Sequence, residues 1–368
     1  MISNHRLRVT LIIPSYKRPL LLIHTVKAFA SQLCRNDEII VIVHSCDPFR
    51  DKYGKLIKEI RTNVHVRLII NPSNSLSHSY NLGLRAASNE ILLFSDDDCI
   101  PDDHLIENHL SVYERYGNKV IGVTGRITTA VIKRDRIVPI IDRPLFPIHR
   151  AWNKPIAGME SWFFFITQGG RLYMRGNPEY WLGRGAKLLL SLPIGGGNMS
   201  FGRQYLRNIF LDEKQKRAFR FEQLLFLKVW KSISEKRDMS SHRFVLNLAA
   251  NTFHVQNVEG TTSRPRNIRD SIELAIESAK SSFKFKSLLP KTILFRALLR
   301  ELLIHLIKVL FYSIRVSSRR DASDWQTPAR YTGEFIGSLV GLFVGIAHYA
   351  SWCFDDDMPG ASFRRDDS

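Results

Sequence analysis

Four short apolar runs, Val9 to Ile13, Glu38 to Val43, Val66 to Ile70 and Ile91 to Phe94, alternate with stretches whose apolar residues recur at helical spacing, Leu20 to Leu33, Asp51 to Arg61 and Ser77 to Ala87. Strands that alternate with helices need crossover connections, which are right-handed and place the strands in a mostly parallel sheet. Ligands of such sheets bind beyond the carboxyl ends of the strands. Pro14-Ser15-Tyr16, His44-Ser45 and Asp96-Asp97-Asp98 all fall at those ends, so three loops are expected to converge on one edge.

The third loop is chemically the most demanding. Leu92-Leu93-Phe94 reads as buried strand and stops in three consecutive carboxylates, which is costly unless something cationic sits among them. Asp96 and Asp98 lie two apart and share one side of an extended backbone, a spacing suited to a hard divalent cation carrying a diphosphate. The plain alternative is an acidic turn that caps a helix starting near Pro101.

Beyond Pro101 a further strand is expected at Val120 to Gly125, followed by a loop-rich region from Lys133 to Leu192. Its aromatics, Trp152, Trp162, Phe163 to Phe165, Tyr173, Tyr180 and Trp181, either stack on sugar rings or fill the core. Gly195-Gly196-Gly197 permits close approach of backbone to a ligand. Phe219 to Val229 has helical spacing, with Glu222 near its start, where a carboxylate gains from the helix dipole. Phe244 to Ala250 is strand-like and leads to Phe253-His254-Val255, where His254 is either structural or a metal ligand. Thr261 to Arg264 closes this core.

A formal charge of +18 calls for an acidic partner: nucleic acid, anionic lipid headgroups or a phosphorylated substrate. The four cysteines, Cys34, Cys46, Cys99 and Cys353, are too scattered for a zinc knuckle or a disulfide framework, and a reducing compartment fits best. The N-terminal run Leu11 to Ile13, closed by Pro14, is too short for a signal peptide or a membrane span. A catalytic part in the cytoplasm is expected.

The remainder changes character. Between Gly260 and Arg330 there are 14 Lys and Arg against 6 Asp and Glu, and Ile293 to Ile314 sets Arg296, Arg300, Glu301, His305, Lys308 and Tyr312 on one half of a helical wheel. Such a helix binds an anionic membrane surface or packs on its own domain. Phe335 to Phe354 then holds no charged residue apart from His348, a length of about twenty residues that suffices to cross a bilayer or lie in its interface. Gly333, Gly337, Gly341 and Gly345 recur at every fourth position and give one smooth face, as in packing between membrane helices.

Across roughly residues 8 to 265 a series of motifs resembles the family 2 glycosyltransferases of the GT-A fold. Ile13-Pro14-Ser15-Tyr16-Lys17-Arg18 is similar to the family's opening nucleotide-binding loop, and Asn71-Pro72 with Leu76 to Leu84 is similar to its donor-contacting helix. Phe94 to Asp98 matches the DxD element, and Gly197 to Phe201 followed by Phe210 to Glu213 resembles the acceptor-side segment. Glu222 falls where the family usually has its catalytic Asp, and His254 where many members have a metal-contacting histidine. Two departures stand out. The second strand ends in His44-Ser45-Cys46, with an acid only at Asp47, where the family commonly has acids that read the nucleobase; and Phe221-Glu222 replaces the usual acidic pair.

The resemblance implies an α/β GT-A fold over 1–265, followed by a basic amphipathic region over 266–330 and an apolar, glycine-faced helix with a polar tail over 331–368. It implies an inverting transferase that uses a nucleoside-diphosphate-sugar donor and a glycan or lipid-linked acceptor. Asp96, Asp98 and His254 would hold Mg²⁺ or Mn²⁺, and Glu222 would be the base. Pro14, Ser15, Tyr16, Arg18, His44, Ser45, Asn81, Asp96 and Asp97 would contact the donor. The enzyme would work at the cytoplasmic face of a membrane and bind no nucleic acid. The rival readings are a metal-dependent nucleotidyltransferase or phosphohydrolase that uses the same carboxylates, and a basic nucleic-acid-binding protein.

Overall fold

The structure is a computed structural model that describes residues 6–73, 75–133, 136–139, 154–155, 159–167, 172–213, 221–234 and 242–256. The basic helix, the apolar glycine-faced segment and the tail expected after residue 260 lie outside the described residues, as does Trp152. The chain divides into two units, the larger being Met1–Arg150, Pro155–Phe165 and Leu172–Thr262. The smaller, Ala151–Lys154, Ile166–Arg171 and Ser263–Ser368, lies almost wholly outside the described residues. Among the described residues no helix is long and apolar enough to cross a membrane.

The first half is strand and helix in alternation: β1 (Val9–Ser15), α1 (Pro19–Ala30), β2 (Glu38–His44), α2 (Arg50–Lys58), β3 (His65–Asn71), α3 (Leu76–Ala86) and β4 (Ile91–Phe94). After it come β5 (Cys99–Pro101), α4 (Leu105–Tyr116), β6 (Val120–Lys133), β7 (Arg136–Pro139), β8 (Phe164–Ile166), β9 (Leu172–Met174) and α5 (Pro178–Gly183). The described chain then continues through β10 (Leu188–Leu190), β11 (Met199–Gly202), α6 (Arg203–Leu206), α7 (Phe221–Ser234) and β12 (Arg243–Gln256).

The main sheet runs β10-β12-β6-β11-β4-β1-β2-β3. Its four-strand half, β4-β1-β2-β3, is parallel throughout, as the alternation requires. The antiparallel β11 joins that half to β6, and β12 runs parallel to β6. Every residue of β1, β2 and β4 is buried, as expected of strands covered on both faces. Helix α1 turns Leu22, Val26 and Phe29 into the core these strands share. Proline at its start costs no hydrogen bond, because the first amide of a helix has no partner to lose.

The alternative of a helix starting near Pro101 gives way to strand β5, Cys99–Pro101, paired antiparallel with β12, and α4 begins at Leu105. The apolar Cys99 and Ile100 gain more by completing a ladder with Phe253 and His254 than by opening a helix whose first turn would hold Pro101. Within the loop-rich region from Lys133 to Leu192 the described residues form the short elements β7, β8, β9, α5 and β10. Of its described aromatics, Trp162, Phe163 and Phe165 are buried, Phe164, Tyr173 and Trp181 are half-buried, and Tyr180 is exposed at 56%. Trp162 packs edge-on to Phe226 and Trp230 of α7.

Candidate active site

Beyond the carboxyl end of β4 the chain makes a tight turn, in which the Cys99 amide donates to the Asp96 carbonyl at 3.2 Å, and then enters β5. The turn is tied to β12 by the Val255 amide, which donates to the Asp98 carbonyl at 2.8 Å. It is tied to α1 by the Thr25 hydroxyl, which donates to the Asp97 carbonyl at 2.9 Å. Three carboxylates are thereby held close together. Asp97 and Asp98 are each only 5% exposed.

The loop from β1 to α1 brings the counter-charge. Lys17 takes a left-handed backbone (φ 61), where few side-chain-bearing residues sit. The turn is secured by two hydrogen bonds: the Lys17 amide donates to Asp47 at 2.5 Å, and the Arg18 amide donates to the Tyr53 hydroxyl at 2.9 Å. The Arg18 guanidinium is thereby aimed at the acids, at 2.9 Å from Asp97 Oδ1 and 2.6 Å from Asp98 Oδ2. The Ser15 hydroxyl donates to Asp97 Oδ2 at 2.6 Å. Asp47, the displaced acid after β2, is thus spent on holding this loop.

His254 arrives from β12, with Nε2 3.4 Å from Asp98 Oδ2. The hydrogen bond to Asp98 raises the pKa of the imidazole against the pull of burial. Burial pulls Asp98 upward, but the hydrogen bond and charge of His254, together with the charge of Arg18, outweigh it and hold that carboxyl below its ordinary value. Asp96 behaves oppositely: burial, followed by the charges of Asp98 and Asp97, pushes it up to about 7. Unequal neighbours have split chemically identical groups, as happens where acids crowd a functional site.

Asp96, Asp98 and Cys99 each offer a donor atom, and these atoms lie within 4.8 Å of one another. Two ligands of one divalent ion, each at ~2.0 to ~2.6 Å, can be separated by at most about 5 Å, so the group fits a metal. Gly197 makes the arrangement possible. A Cβ there would stand 2.5 Å from Cys99 Sγ and 3.3 Å from Asp96 Oδ2. Of the glycine run, then, this residue lies directly against the acid cluster.

Glu222 enters from the first turn of α7. Phe221 beside it stacks on Tyr80, with ring centroids 4.0 Å apart, and a Cβ on Gly196 would come within 2.4 Å of the same ring. Both the Tyr80 hydroxyl and the Asp96 carboxylate feel the charge of Glu222. At the neighbouring edge of the sheet, His44 is buried at the end of β2, with the Tyr16 ring edge-on at 5.5 Å. Its Nδ1 is buried without a hydrogen-bond partner, and burial keeps the imidazole neutral by lowering its pKa. Ser45 lies just beyond, its hydroxyl 3.4 Å from the Pro72 carbonyl.

Two of the expected donor contacts are placed in the interior. Pro14 is buried within β1, in register with Ile42. Asn81 is buried on α3, and its amide binds the Leu211 backbone and the Glu213 carboxylate, all at 2.8 to 2.9 Å. Asn81 thereby positions the segment that holds Leu211 and Glu213. Cys99, Gly197 and Tyr80, whose hydroxyl is 3.5 Å from Asp96, were not singled out as site residues from the sequence. The signal available for Cys99 was its adjacency to Asp98. A separate cavity of about 950 Å³ lies at the amino ends of β1, β4 and β6, lined among others by Arg8, Glu90, Tyr113 and Arg203. Glu90 there is already engaged by Arg8 at 2.7 Å, and the cavity contains none of the three clustered acids.

Residues 10–169, which contain the Arg18 loop and all three acids, match the model of the glycosyl transferase family 2. Over that stretch the chain is similar to family 2 glycosyl transferases. None of the curated proteins matches it in sequence. Among solved structures, the chain is similar to GalNAc-T7 with UDP, GalNAc and Mn²⁺, at 14% identity and a TM-score of 0.52, over 72% of this chain and 46% of that one. It therefore spans less than half the length of that protein. It is also similar to the mannosyltransferase PcManGT from Pyrobaculum calidifontis in complex with GDP-Man and Mn²⁺, at 15% identity and a TM-score of 0.51, over 93% of this chain and 88% of that one. At these identities the likeness is one of fold, and that fold is GT-A.

Proposed function

We propose that the protein is an inverting glycosyltransferase that moves a sugar from a nucleoside diphosphate to an acceptor hydroxyl. The observation that carries this reading is the grouping, at the carboxyl end of β4, of the Asp96 and Asp98 donor atoms within 4.8 Å, with Arg18 on the same acids. Asp96 and Asp98 would hold Mg²⁺ or Mn²⁺, which would supply positive charge to the leaving diphosphate. His254 fixes the Asp98 carboxylate in place, and Arg18 is a second cation facing the phosphates. The exposed Tyr16 ring, edge-on to His44, and the Ser45 hydroxyl beyond it lie where a nucleobase would sit. Glu222 takes the proton of the acceptor hydroxyl as that oxygen attacks the anomeric carbon, which inverts the centre in one displacement.

The acceptor we propose is lipid-linked or a growing cell-surface glycan, with the chain held at the cytoplasmic face of a membrane by the segments after residue 265. Their basic surplus and uncharged glycine-faced stretch support this. The test is incubation with UDP- and GDP-sugars, Mn²⁺ and acceptor, with the released nucleotide products assayed. Free nucleoside diphosphate is expected, whereas pyrophosphate would mark nucleotidyl transfer. Glu222→Gln keeps size and loses basicity, so turnover should fall by about 10² to 10⁴ while donor binding persists. Wild-type turnover in that variant would move the base elsewhere.

A further inference from the structure

We propose that Cys99 is a third protein donor to the cation held by Asp96 and Asp98, so that the site favours thiophilic divalent cations over Mg²⁺. The inference rests on the reading of those two carboxylates as metal donors and adds to it the identity of the cation. Cys99 is 1% exposed, its Sγ lies 4.0 Å from Asp98 Oδ1, and all three donor atoms fall within 4.8 Å of one another. Strand β5 fixes the placement, because the Cys99 backbone is paired in register with His254 on β12. Gly197 closes the other side, where any Cβ would collide with the sulfur. The thiol is therefore locked beside the carboxylates by backbone on two sides.

Two carboxylates alone form a hard oxygen site, the kind that Mg²⁺ or Mn²⁺ occupies. A sulfur in reach changes the ranking, since thiolate selects softer ions such as Zn²⁺ and Cd²⁺ while Mg²⁺ gains nothing from it. As the metal–sulfur bond forms, the thiol proton passes to solvent. The expected order is Cd²⁺ and Zn²⁺ ahead of Mn²⁺, with Mg²⁺ last.

The test uses the full chain with Cys34→Ser, Cys46→Ser and Cys353→Ser, which leaves Cys99 as the sole thiol. Cd²⁺ is titrated while the ultraviolet thiolate-to-cadmium charge-transfer absorbance and the displacement of bound Mn²⁺ are followed. The expected result is a band that saturates at one Cd²⁺ per chain and disappears in the same background with Cys99→Ser or Asp98→Ala. Cys99→Ser should weaken Cd²⁺ by about tenfold or more and leave Mg²⁺ within a few-fold. Cd²⁺ that displaces Mn²⁺ without producing a band would overturn the role of the thiol and leave the carboxylate site standing. Failure of both Mn²⁺ and Cd²⁺ to bind would remove the metal reading itself, and the role of the thiol with it.

Discussion

Asp96 and Asp98, two residues apart, are driven to opposite protonation behaviour by what each one touches. Asp98 has His254 and Arg18, whereas Asp96 has burial and two negative neighbours. An acid whose folded pKa is raised from 3.8 to about 7 contributes stability below the ordinary carboxylate range and loses it as pH rises through about 7. A divalent cation bound there would take the place of that proton. The increase in Tm produced by Mn²⁺ should therefore grow between about pH 6 and about pH 8, because less proton has to be displaced at the higher pH. Thermal melts at the two pH values check this, and an equal Mn²⁺ increment at both would mean that Asp96 is not a ligand. Arg18 belongs to the same balance. It is 17% exposed in its side chain and shared by two buried carboxylates, so its charge offsets repulsion that the cluster would otherwise suffer.

Among the elements, α7 is the one that carries the proposed base, Glu222, in its first turn. Phe221 is held between Tyr80 and the bare backbone of Gly196, with Phe94 edge-on at 6.5 Å, and Glu222 follows wherever Phe221 goes. Gly196→Ala sets a methyl 2.4 Å from that ring, an overpacking that costs about 1 to 3 kcal/mol and displaces the first turn of the helix. Turnover should drop by about a hundredfold, with nucleoside diphosphate affinity changed only a few-fold, as steady-state kinetics beside calorimetry would report. Unchanged turnover would separate Glu222 from the chemistry. Elements also differ in how far local sequence betrays them. β1 to β4 were legible because each is a predominantly apolar run ended by polar residues, and the acids after β4 follow from local pattern alone. β5 and the strands between Lys133 and Leu192 were not, because three-residue strands such as Cys99–Pro101 carry no periodicity and are strands only through a distant partner, here β12. The sequence placed Asp96 and Asp98 at a strand end and, through the resemblance, set Arg18 and His254 beside them, but it gave no sign that Cys99 and the backbone of Gly197 would close around them.

On the scale of the whole chain, the proposed function would match the +18 charge to a phosphorylated donor and an anionic surface. Full-length protein should sediment with anionic vesicles and not with neutral ones at low salt. The bound fraction should fall steeply toward physiological ionic strength if attachment is electrostatic, and persist if a helix inserts. Protein that stays in the supernatant with anionic vesicles at low salt would assign the segments after residue 265 to some task other than attachment. The central claim is that Asp96 and Asp98 make one cation-dependent nucleoside diphosphate site, and calorimetric titration of UDP and GDP with and without Mn²⁺, in the wild type and in Asp98→Ala, tests it most directly. Binding of at least one nucleotide should require Mn²⁺ in the wild type and vanish in the variant while its Tm stays close to that of the wild type. Equal nucleotide affinity without Mn²⁺, or in Asp98→Ala, would contradict it.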